Sequence, residues 1–235
     1  MKRVPLLIGM VLVISSVGWA GACGSATLAT YDTAGFSCSI GPLLFSNFSY
    51  TTPGPPLANQ LHVTPDIGAG EEGLTIAGTF PTVWAAASGQ RNTYTLNYTV
   101  SCPGCAVNDA VLVMVAAANQ GTKPVGTTAL ASVLETLTPG GVTLSLADPP
   151  STCPGAPPTG CSTSKTFAGV APVSVADTIT VNGGNGGGSY AHVYSLTEEF
   201  SSVAPEPASL ALLGTALFGA GLLLRRRLHE DASRS

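Results

Sequence analysis

Six cysteines are the residues whose type and spacing could do chemistry, and their number favours disulfide bridges. All of them follow an apolar N-terminal segment that indicates export into an oxidising compartment, where thiols pair. An even count fits three bridges. Other connectivities stay open, but proximity in the sequence predicts the pairs Cys23–Cys38, Cys102–Cys105 and Cys153–Cys161. Bridges over loops this short would each pin a local turn.

The segment Cys102-Pro103-Gly104-Cys105 has a C-x-x-C spacing, which in a cytosolic βαβ protein indicates redox chemistry or half of a zinc site. Here the flanking segments resemble β-strands, and no second C-x-x-C follows. Pro-Gly is the central pair of a type II turn, whose ends approach within about 7 Å, close enough for a disulfide. We therefore expect a stapled turn, with a labile redox pair as the alternative.

Two groups of acidic residues could offer carboxylate oxygens. Asp66, Glu71 and Glu72 could contribute ligands to Ca²⁺, but their spacing is not that of an EF-hand, and a solvated loop is favoured. Glu198 and Glu199 are adjacent, so on a strand they would point to opposite faces. We expect this pair to mark the exposed end of the last strand.

The remaining polar candidates do not assemble into a known site. His62 and His192 lack the H-x-H or H-E-x-x-H spacing of metal sites, and His192 fits a strand with its ring facing the pleat. Asn47 and Asn97 begin N-x-S/T triplets that are compatible with glycosylation. Nucleophile elbows and phosphate-binding loops are absent from the sequence. We expect no catalytic residue, no cofactor and no metal ligand, and hence a protein that is not an enzyme.

The charge of the chain argues against nucleic acid as a partner. Charged residues make up only 9% of the 235 residues, and the formal net charge is −4. Between residues 23 and 205 there are three basic residues and ten acidic ones, which gives about −7 for this part. A nucleic-acid-binding surface needs a basic patch, and this composition provides none.

Alternating apolar and polar residues predict a β-rich domain. In residues 91–102 every second residue from Tyr94 to Val100 is apolar, and the residues between them are threonine and asparagine. Turn signals rich in glycine and proline separate this segment from its neighbours. The expected fold is all-β, an antiparallel β-sandwich-like domain over residues 23–202. Further strand segments begin at Phe45, Gly73, Gly141, Val173 and Ser189.

Three segments need separate interpretation. Residues 110–118 are continuously apolar and predict a strand buried on both faces. Residues 127–137 fit a helical apolar stripe or the first arm of a hairpin, and the Pro-Gly-Gly turn that follows favours the hairpin. Residues 182–188 are glycine-rich and stand between two strand segments, so we expect a flexible hairpin tip there.

The N-terminus has the features of a secretory signal peptide, residues 1–22. Lys2 and Arg3 precede an apolar run of 14 residues, which is too short for an ordinary membrane span. Ala20-Gly21-Ala22 then supplies the small residues that signal peptidase accepts, although cleavage after Ala20 is also possible. Cleavage after Ala22 would place Cys23 first, which leaves a lipoprotein as an alternative.

The C-terminal part contains a short apolar helix between helix-breaking and basic residues. Residues 208–224 carry no charge and as a helix would span about 26 Å, marginal for a bilayer core of about 30 Å. Pro205 and Pro207 keep the helix from extending into the domain. Arg225, Arg226 and Arg227 follow the helix, and the positive-inside rule places them, and a tail of residues 228–235, in the cytoplasm.

This arrangement resembles the PEP-CTERM sorting signal over residues 203–227. Pro205-Glu206-Pro207 matches the recognition motif of that family, and Arg225, Arg226 and Arg227 match its basic stop. The tail after the arginines is slightly longer than is usual in the family. Residues 28–50 also resemble a segment of such proteins, in which a Cys-Ile-Gly step precedes an aromatic strand; here the corresponding residues are Cys38-Ser39-Ile40-Gly41. The resemblance implies export in a Gram-negative bacterium, handling by a membrane-embedded exosortase, and cutting near Pro205-Glu206-Pro207.

The expected function follows from this location. We predict an exported cell-surface or extracellular-matrix protein that is structural or associated with exopolysaccharide. Its expected partners are the secretion machinery with signal peptidase, the exosortase, the membrane as a precursor, and exopolysaccharide. The alternatives are a carbohydrate-binding or Ca²⁺-assisted adhesin, a secreted hydrolase that lacks visible acid–base residues, and a permanent single-span membrane protein.

Overall fold

Two antiparallel β-sheets stacked face to face make up the described part of the chain. The computed structural model describes residues 20–68, 71–79, 81–121, 128–139, 141–148 and 159–203. These residues form fourteen strands, one α-helical turn, α1 (Leu28–Tyr31), and one 3₁₀ turn (Ala58–Gln60). The strands are β1 (Gly21–Ala22), β2 (Ala26–Thr27), β3 (Ser37–Ile40), β4 (Leu43–Thr51), β5 (Leu61–Ile67), β6 (Glu72–Gly78), β7 (Trp84–Ala87), β8 (Arg91–Ser101), β9 (Ala106–Asn119), β10 (Leu130–Thr138), β11 (Val142–Asp148), β12 (Thr159–Val170), β13 (Val173–Asn182) and β14 (Tyr190–Val203).

The first sheet has the strand order β1-β3-β4-β8-β13-β10-β11, and we call it sheet A. The second, sheet B, has the order β12-β9-β14-β6-β5-β2, with β7 paired to the beginning of β14. Neighbouring strands run antiparallel, except β1, which pairs parallel with β3. The predicted antiparallel sandwich is confirmed.

β8, the strand that the alternation in residues 91–102 predicts, lies in the middle of sheet A. Tyr94, Leu96, Tyr98 and Val100 point into the sandwich and are at most 2% exposed. The threonines and asparagines between them lie on the outward face. From sheet B, Leu196 and Phe200 of β14 enter the same core. Side chains that alternate on a pleated strand thus separate a dry interior from an uncharged polar exterior.

Residues 127–137 form a strand rather than a helix. β10 pairs with β11 in a hairpin from Ala131↔Asp148 to Leu137↔Val142, as the favoured interpretation predicts. Residues 110–118 lie within β9, which is a strand as expected, but it is not buried on both faces. Its inward residues are buried, whereas the outward Val111, Val113 and Val115 are half-buried. Small or polar residues on β12 and β14, among them Gly160, Thr197 and Glu199, flank these valines, so the outward face stays partly open.

The glycine-rich residues 182–188 do not form a hairpin tip, contrary to the prediction. β13 lies in sheet A and β14 in sheet B, so this segment crosses from one sheet to the other. Gly183 and Gly184 exchange backbone hydrogen bonds with the turn at Gly89 and Gln90. A Cβ atom at Gly183 would overlap with the carbonyl oxygen of Ala87. Glycine is needed here because another segment of backbone packs directly against the crossing.

The cysteines confirm one predicted bridge. Cys23 and Cys38 are joined, with their Cα atoms 4.7 Å apart, and the bridge ties the start of the domain to β3. Cys102 and Cys105 lie at the ends of a turn closed by the Cys105 N–H donating to the Cys102 carbonyl, with Cα atoms 5.1 Å apart. Their bridge stays a prediction. Cys153 lies outside the described residues, so the pairing with Cys161 stays a prediction too.

The predicted terminal segments fall almost entirely outside the described residues. Of the signal peptide, the structure describes only residues 20–22, and Gly21–Ala22 pair with Cys38–Ser39 as β1. Cleavage after Ala20 would keep this short strand, and cleavage after Ala22 would remove it. The predicted membrane helix at residues 208–224 and the tail at 228–235 are not described. Within the part that the structure does describe, every helix is too short or too polar to cross a membrane.

Candidate functional site

Three carboxylates meet in the interior of the sandwich. Glu135 of β10, Asp177 of β13 and Glu198 of β14 are each 0% exposed. One carboxylate oxygen from each of them lies within 4.8 Å of the other two. We call Glu135, Asp177 and Glu198 the carboxylate cluster.

The pairing of the strands brings these residues together. Glu135 and Asp177 are direct cross-strand partners in sheet A, and Glu198 approaches from sheet B. On the other sides of this pair in sheet A, Asp177 lies opposite Leu96 of β8 and Glu135 lies opposite Leu144 of β11. In sheet B the partners of Glu198 are Leu74 and Leu112. The cluster therefore lies among leucines, far from an environment that would solvate charge.

Most of the cluster's oxygens accept no hydrogen bond from the described residues. Both oxygens of Glu135, both of Asp177 and Oε1 of Glu198 lack a donor there. Oε2 of Glu198 accepts a hydrogen bond from the Tyr98 hydroxyl of β8. Buried carboxylates without donors are costly, because burial removes hydration that nothing in the protein replaces.

Burial changes the acidity of all three groups in the same direction. It raises the pKa of Glu135 to about 7 and the pKa of Glu198 to about 8. The pKa of Asp177 is raised well above its ordinary value, first by burial and then by the neighbouring charge of Glu135. Desolvation disfavours the ionised form, and like charges disfavour it further. The cluster can therefore hold protons near neutral pH, or it can bind a cation whose charge replaces them.

A second feature lies on the outer surface of sheet B, along the first half of β14. The aromatic row consists of Tyr190, His192 and Tyr194. The rings of Tyr190 and His192 stack with centroids 4.9 Å apart, and the ring of Tyr194 meets His192 edge-on at 5.8 Å. All three side chains are half-buried. Beside Tyr190 and His192, the paired residues on β7 are Ala87 and Ala85.

The outer surface of sheet A is polar but uncharged at its centre. Thr93, Thr95, Asn97 and Thr99 of β8 lie opposite Thr180, Thr178, Ala176 and Ser174 of β13. Hydroxyl and amide groups thus cover this surface without ion pairs.

Both predicted glycosylation triplets lie next to each other on this surface. A bulge in β4 places Asn47, with a positive φ of 56°, opposite β8. The Asn97 side-chain amide donates to Ser49 Oγ at 3.2 Å, and the Asn47 amide donates to Thr99 Oγ1 at 3.4 Å. Each triplet's asparagine therefore binds the hydroxyl of the other triplet. Glycosylation of either asparagine stays a prediction.

The predicted acidic groups are placed differently from the expectation. Asp66 and Glu72 are not in a solvated loop but on the paired strands β5 and β6, and together with Glu71 they are half-buried. Glu198 is not at an exposed strand end, as predicted, but fully buried in the cluster. Glu199 does face outward, as expected for the residue next to Glu198 on a strand. Burial raises the pKa of Glu199, and the nearby Glu71 and Asp66 raise it further.

His192 lies in a strand with its ring on the pleated surface, as predicted, and burial lowers its pKa. The predicted sorting residues Pro205, Glu206 and Pro207 and the predicted stop at Arg225, Arg226 and Arg227 lie outside the described residues. The roles predicted for these residues therefore rest on their sequence and not on a described structure.

Sequence interpretation missed Glu135 and Asp177, although a signal for the cluster is present. In β10 the inward series is Ala131, Val133, Glu135 and Leu137, and in β13 it is Val173, Val175, Asp177, Ile179 and Val181. In β14 Glu198 stands between Leu196 and Phe200 in the same way. In each strand, a single acidic residue occupies one position of an otherwise apolar, inward-facing series. The phase of a strand thus gives a better indication of burial than the charge of one residue.

Comparison with solved structures finds distant matches, including the following two. One is the structure of TmCBM61 in complex with β-1,4-galactotriose, with 10% identity and a TM-score of 0.32 over 68% of this chain and 90% of that chain. Another is the enzymatically active domain of bacteriophage CBA120 tailspike protein 4, with 12% identity and a TM-score of 0.21 over 67% of this chain and 19% of that chain. At such low scores neither match bears on ligand or activity.

Comparison with curated proteins finds no match. A family match does cover the C-terminal segment: residues 203–227 match the PEP-CTERM protein-sorting motif. These are the residues over which the sequence resembled that signal. The motif implies export, sorting to the cell surface and processing by an exosortase. The chain therefore carries, from the last residue of its last described strand onward, the PEP-CTERM sorting motif of exosortase substrates.

Proposed function

We propose that this protein is a non-enzymatic component of the cell surface or extracellular matrix, which associates with neutral polysaccharide through the aromatic row on β14. The aromatic row is the observation that carries this proposal. Sugar rings present C–H faces that pack against aromatic rings, and tyrosine hydroxyls can hydrogen-bond to sugar hydroxyls. The adjacent alanines leave room for an extended chain to lie along the row.

Charge supports a neutral rather than an acidic polysaccharide. The part of the chain between residues 23 and 205 carries about −7, from three basic and ten acidic residues. Like charges would repel an acidic polymer over a Debye length of about 10 Å at moderate salt. The uncharged outer surface of sheet A offers many hydroxyl groups and no ion pair at its centre, which also fits a neutral partner.

The position of the sorting motif supports release of the whole sandwich. β14 ends at Val203, which is exposed, and the motif begins at this residue. A cut near Pro205-Glu206-Pro207 would separate the apolar segment without removing any described strand. The two alternatives predict different mature chains. A permanent membrane span would keep residues 208–224. A lipoprotein would carry its lipid on the Cys23 sulfur, which the bridge to Cys38 already occupies.

The sorting step predicts a defined C-terminus. In a host that has an exosortase, the intact mass of surface-located protein should correspond to a chain that ends near Pro205-Glu206-Pro207. Replacing all three residues with alanine should leave the uncut precursor in the membrane fraction, because the recognition motif is lost. A matched control replaces Ser201 and Ser202 with alanine, which should leave cutting unchanged. Recovery of Arg225 to Ser235 on surface-located wild-type protein would contradict processing at this motif.

The aromatic row predicts binding that depends on rings. The Tyr190→Ala/Tyr194→Ala variant should lose about tenfold or more in retention on neutral polysaccharide from the producing organism, since two stacking surfaces are removed. Affinity electrophoresis in gels that contain the polysaccharide gives this retention directly. The Tyr190→Phe/Tyr194→Phe variant keeps the rings and should retain most of the binding. Equal retention of the alanine variant and the wild type would rule out the row as the binding surface.

A further inference from the structure

We propose that Glu135, Asp177 and Glu198 form a binding site for a divalent cation that prefers oxygen ligands, with Ca²⁺ as the best fit, inside the sandwich between its two sheets. This site is separate from the aromatic row and from the sorting motif, so the inference does not depend on the proposed function. It also replaces the expectation from the sequence that the chain holds no metal ligand.

The interior of the sandwich must accommodate an unusual number of ionisable groups at one place. Three carboxylates, each 0% exposed, converge on one place, and the oxygens of two of them have no donor among the described residues. Buried charges in proteins are normally paired or bound to metal. The only group of the described residues that hydrogen-bonds to the cluster is the neutral hydroxyl of Tyr98. A divalent cation would reduce the formal charge of the ionised cluster from −3 to −1.

The geometry and the type of the ligand atoms also fit a cation. Oxygens from all three side chains lie within 4.8 Å of one another, which is about twice a calcium–oxygen distance of 2.3–2.6 Å. One cation between them could therefore contact all three. The donor set is oxygen only, which suits Ca²⁺, Mg²⁺ or Mn²⁺ and not zinc, whose protein sites are built mainly from nitrogen and sulfur.

The number of available oxygens and the exclusion of solvent favour calcium over magnesium. Three carboxylates can offer up to six oxygens if each binds through both of its oxygens, and Ca²⁺ takes six to eight oxygens in flexible geometry. Mg²⁺ usually keeps several of its waters. A cluster that is closed to solvent and lined by leucines is a poor place for those waters.

The chain order places cation binding late in folding. Glu135 and Asp177 come from sheet A, whereas Glu198 lies on β14, the last strand before the sorting motif. The cluster is complete only after β14 has been exported and has entered sheet B. A cation bound there would join the two sheets at their centre, since its ligands come from both of them.

The test uses the full-length chain, purified in detergent, unfolded with its disulfides intact and refolded either with a chelator or with Ca²⁺. After removal of free metal, mass spectrometry of the elements should find one calcium per chain in the second sample. At pH 8, with free Ca²⁺ added back at roughly a hundred times its Kd, the Tm should be about 5–10 °C higher than that of the metal-free sample. Mg²⁺ at the same concentration should give a smaller shift.

Matched variants separate this site from the acidic residues on the surface. Glu135→Gln and Asp177→Asn each remove one ligand charge at nearly constant volume and should abolish both the bound calcium and the shift in Tm. Glu199→Gln is the control, because Glu199 is the next residue on the same strand but faces outward beside Glu71. It should bind and respond as the wild type does.

Terbium gives a readout that does not require the cluster variants to fold. Tb³⁺ replaces Ca²⁺ in oxygen sites and emits when a nearby tyrosine is excited. Because the Tyr98 hydroxyl contacts Glu198, Tb³⁺ refolded with the wild type should show emission sensitised by tyrosine. Tyr98→Phe should lose most of that emission while calcium still raises its Tm.

Either of two results with calcium would overturn the proposal. One is wild-type protein that refolds in Ca²⁺ without retaining calcium and without a shift in Tm. The other is a calcium response that Glu199→Gln removes and that Glu135→Gln and Asp177→Asn keep, which would assign binding to the surface. Terbium emission that is unchanged in Tyr98→Phe would likewise place the bound ion away from the cluster.

Discussion

Raising the pH from about 4 to about 8 should lower the free energy of unfolding of the metal-free protein by several kcal/mol. The cause is the carboxylate cluster. In the folded state burial holds the pKa of Glu135 at about 7 and that of Glu198 at about 8, and it raises that of Asp177. In the unfolded chain these groups are solvated and titrate near their ordinary values, about 4 to 4.5. The folded state therefore binds protons that the unfolded state has released.

The pKa shifts determine the direction of this change in stability and the pH range over which it occurs. Below about pH 4 the groups are protonated in both states, and the stabilising effect of the raised pKa values is fully present. It is lost as the pH rises through the folded values, at about 7 for Glu135 and about 8 for Glu198. One pKa unit corresponds to about 1.4 kcal/mol, so the shift of Glu198 from 4.5 to about 8 alone is worth about 5 kcal/mol. Since natural domains have about 5–15 kcal/mol in total, the metal-free protein should be marginal above pH 8.

Urea unfolding at a series of pH values, followed by the fluorescence of the buried Trp84, measures this dependence. Glu198→Gln cannot ionise at this position, so its stability should fall less over the same window, while Glu135 and Asp177 still contribute to the slope. Glu199→Gln should keep most of the slope of the wild type, because its side chain lies on the outer surface. A wild-type stability that rises between pH 5 and 8 in the presence of a chelator would show that the cluster is not a buried group of protonated acids.

The strands were predictable wherever one residue in two is apolar. β8 is the clearest case, since Tyr94, Leu96, Tyr98 and Val100 all point inward as the alternation requires. The hairpin of β10 and β11 was also predictable, because a Pro-Gly-Gly turn separates two segments with strand periodicity. Such features depend on the alternation of side chains along a strand and on the residues of a turn, and residues close together in the sequence determine both.

The cluster could not be assembled from the sequence, because it depends on register and on which sheet each strand joins. Glu135, Asp177 and Glu198 are 42 and 21 residues apart, and one step of slip in any of the three strands would turn its carboxylate outward. The bulge in β4 shows the same limit. Phe45, Phe48 and Tyr50 cannot all face inward on a regular strand, and the extra residue at Asn47 corrects their phase.

The assignment of β13 and β14 to different sheets was equally hidden. A short glycine-rich segment between two strands is the usual sign of a hairpin, and such a segment gives no local indication that it crosses between sheets. What decides here is backbone packing with distant residues. Gly183 lies against Ala86 and Ala87 of β7, and Gly186 lies against Gln120, which follows β9. Gly183 and Gly186 are therefore packed against other backbone, so flexibility is not their role.

Gly183→Ala should therefore destabilise the protein by more than about 3 kcal/mol, or prevent it from folding. The added methyl group would overlap with the carbonyl oxygen of Ala87, and a backbone atom held in a paired strand has little freedom to move. Forced overlap in well-packed interiors typically costs about 1–3 kcal/mol, and more where neither side can yield. Thermal unfolding followed by circular dichroism, together with the yield of exported protein, measures the loss.

Two further alanine variants separate overlap from backbone conformation. Gly188→Ala lies in the same segment at a φ of 75° with open space around its Cβ position, so it should cost only about 1–2 kcal/mol for the left-handed conformation. Gly24→Ala has neither a positive φ nor a neighbour within 4 Å and should be close to neutral. If residues 182–188 instead form a flexible hairpin tip, Gly183→Ala and Gly24→Ala should unfold at nearly the same temperature. A graded loss, largest at Gly183, would mean that the crossing between the sheets is a packed part of the fold.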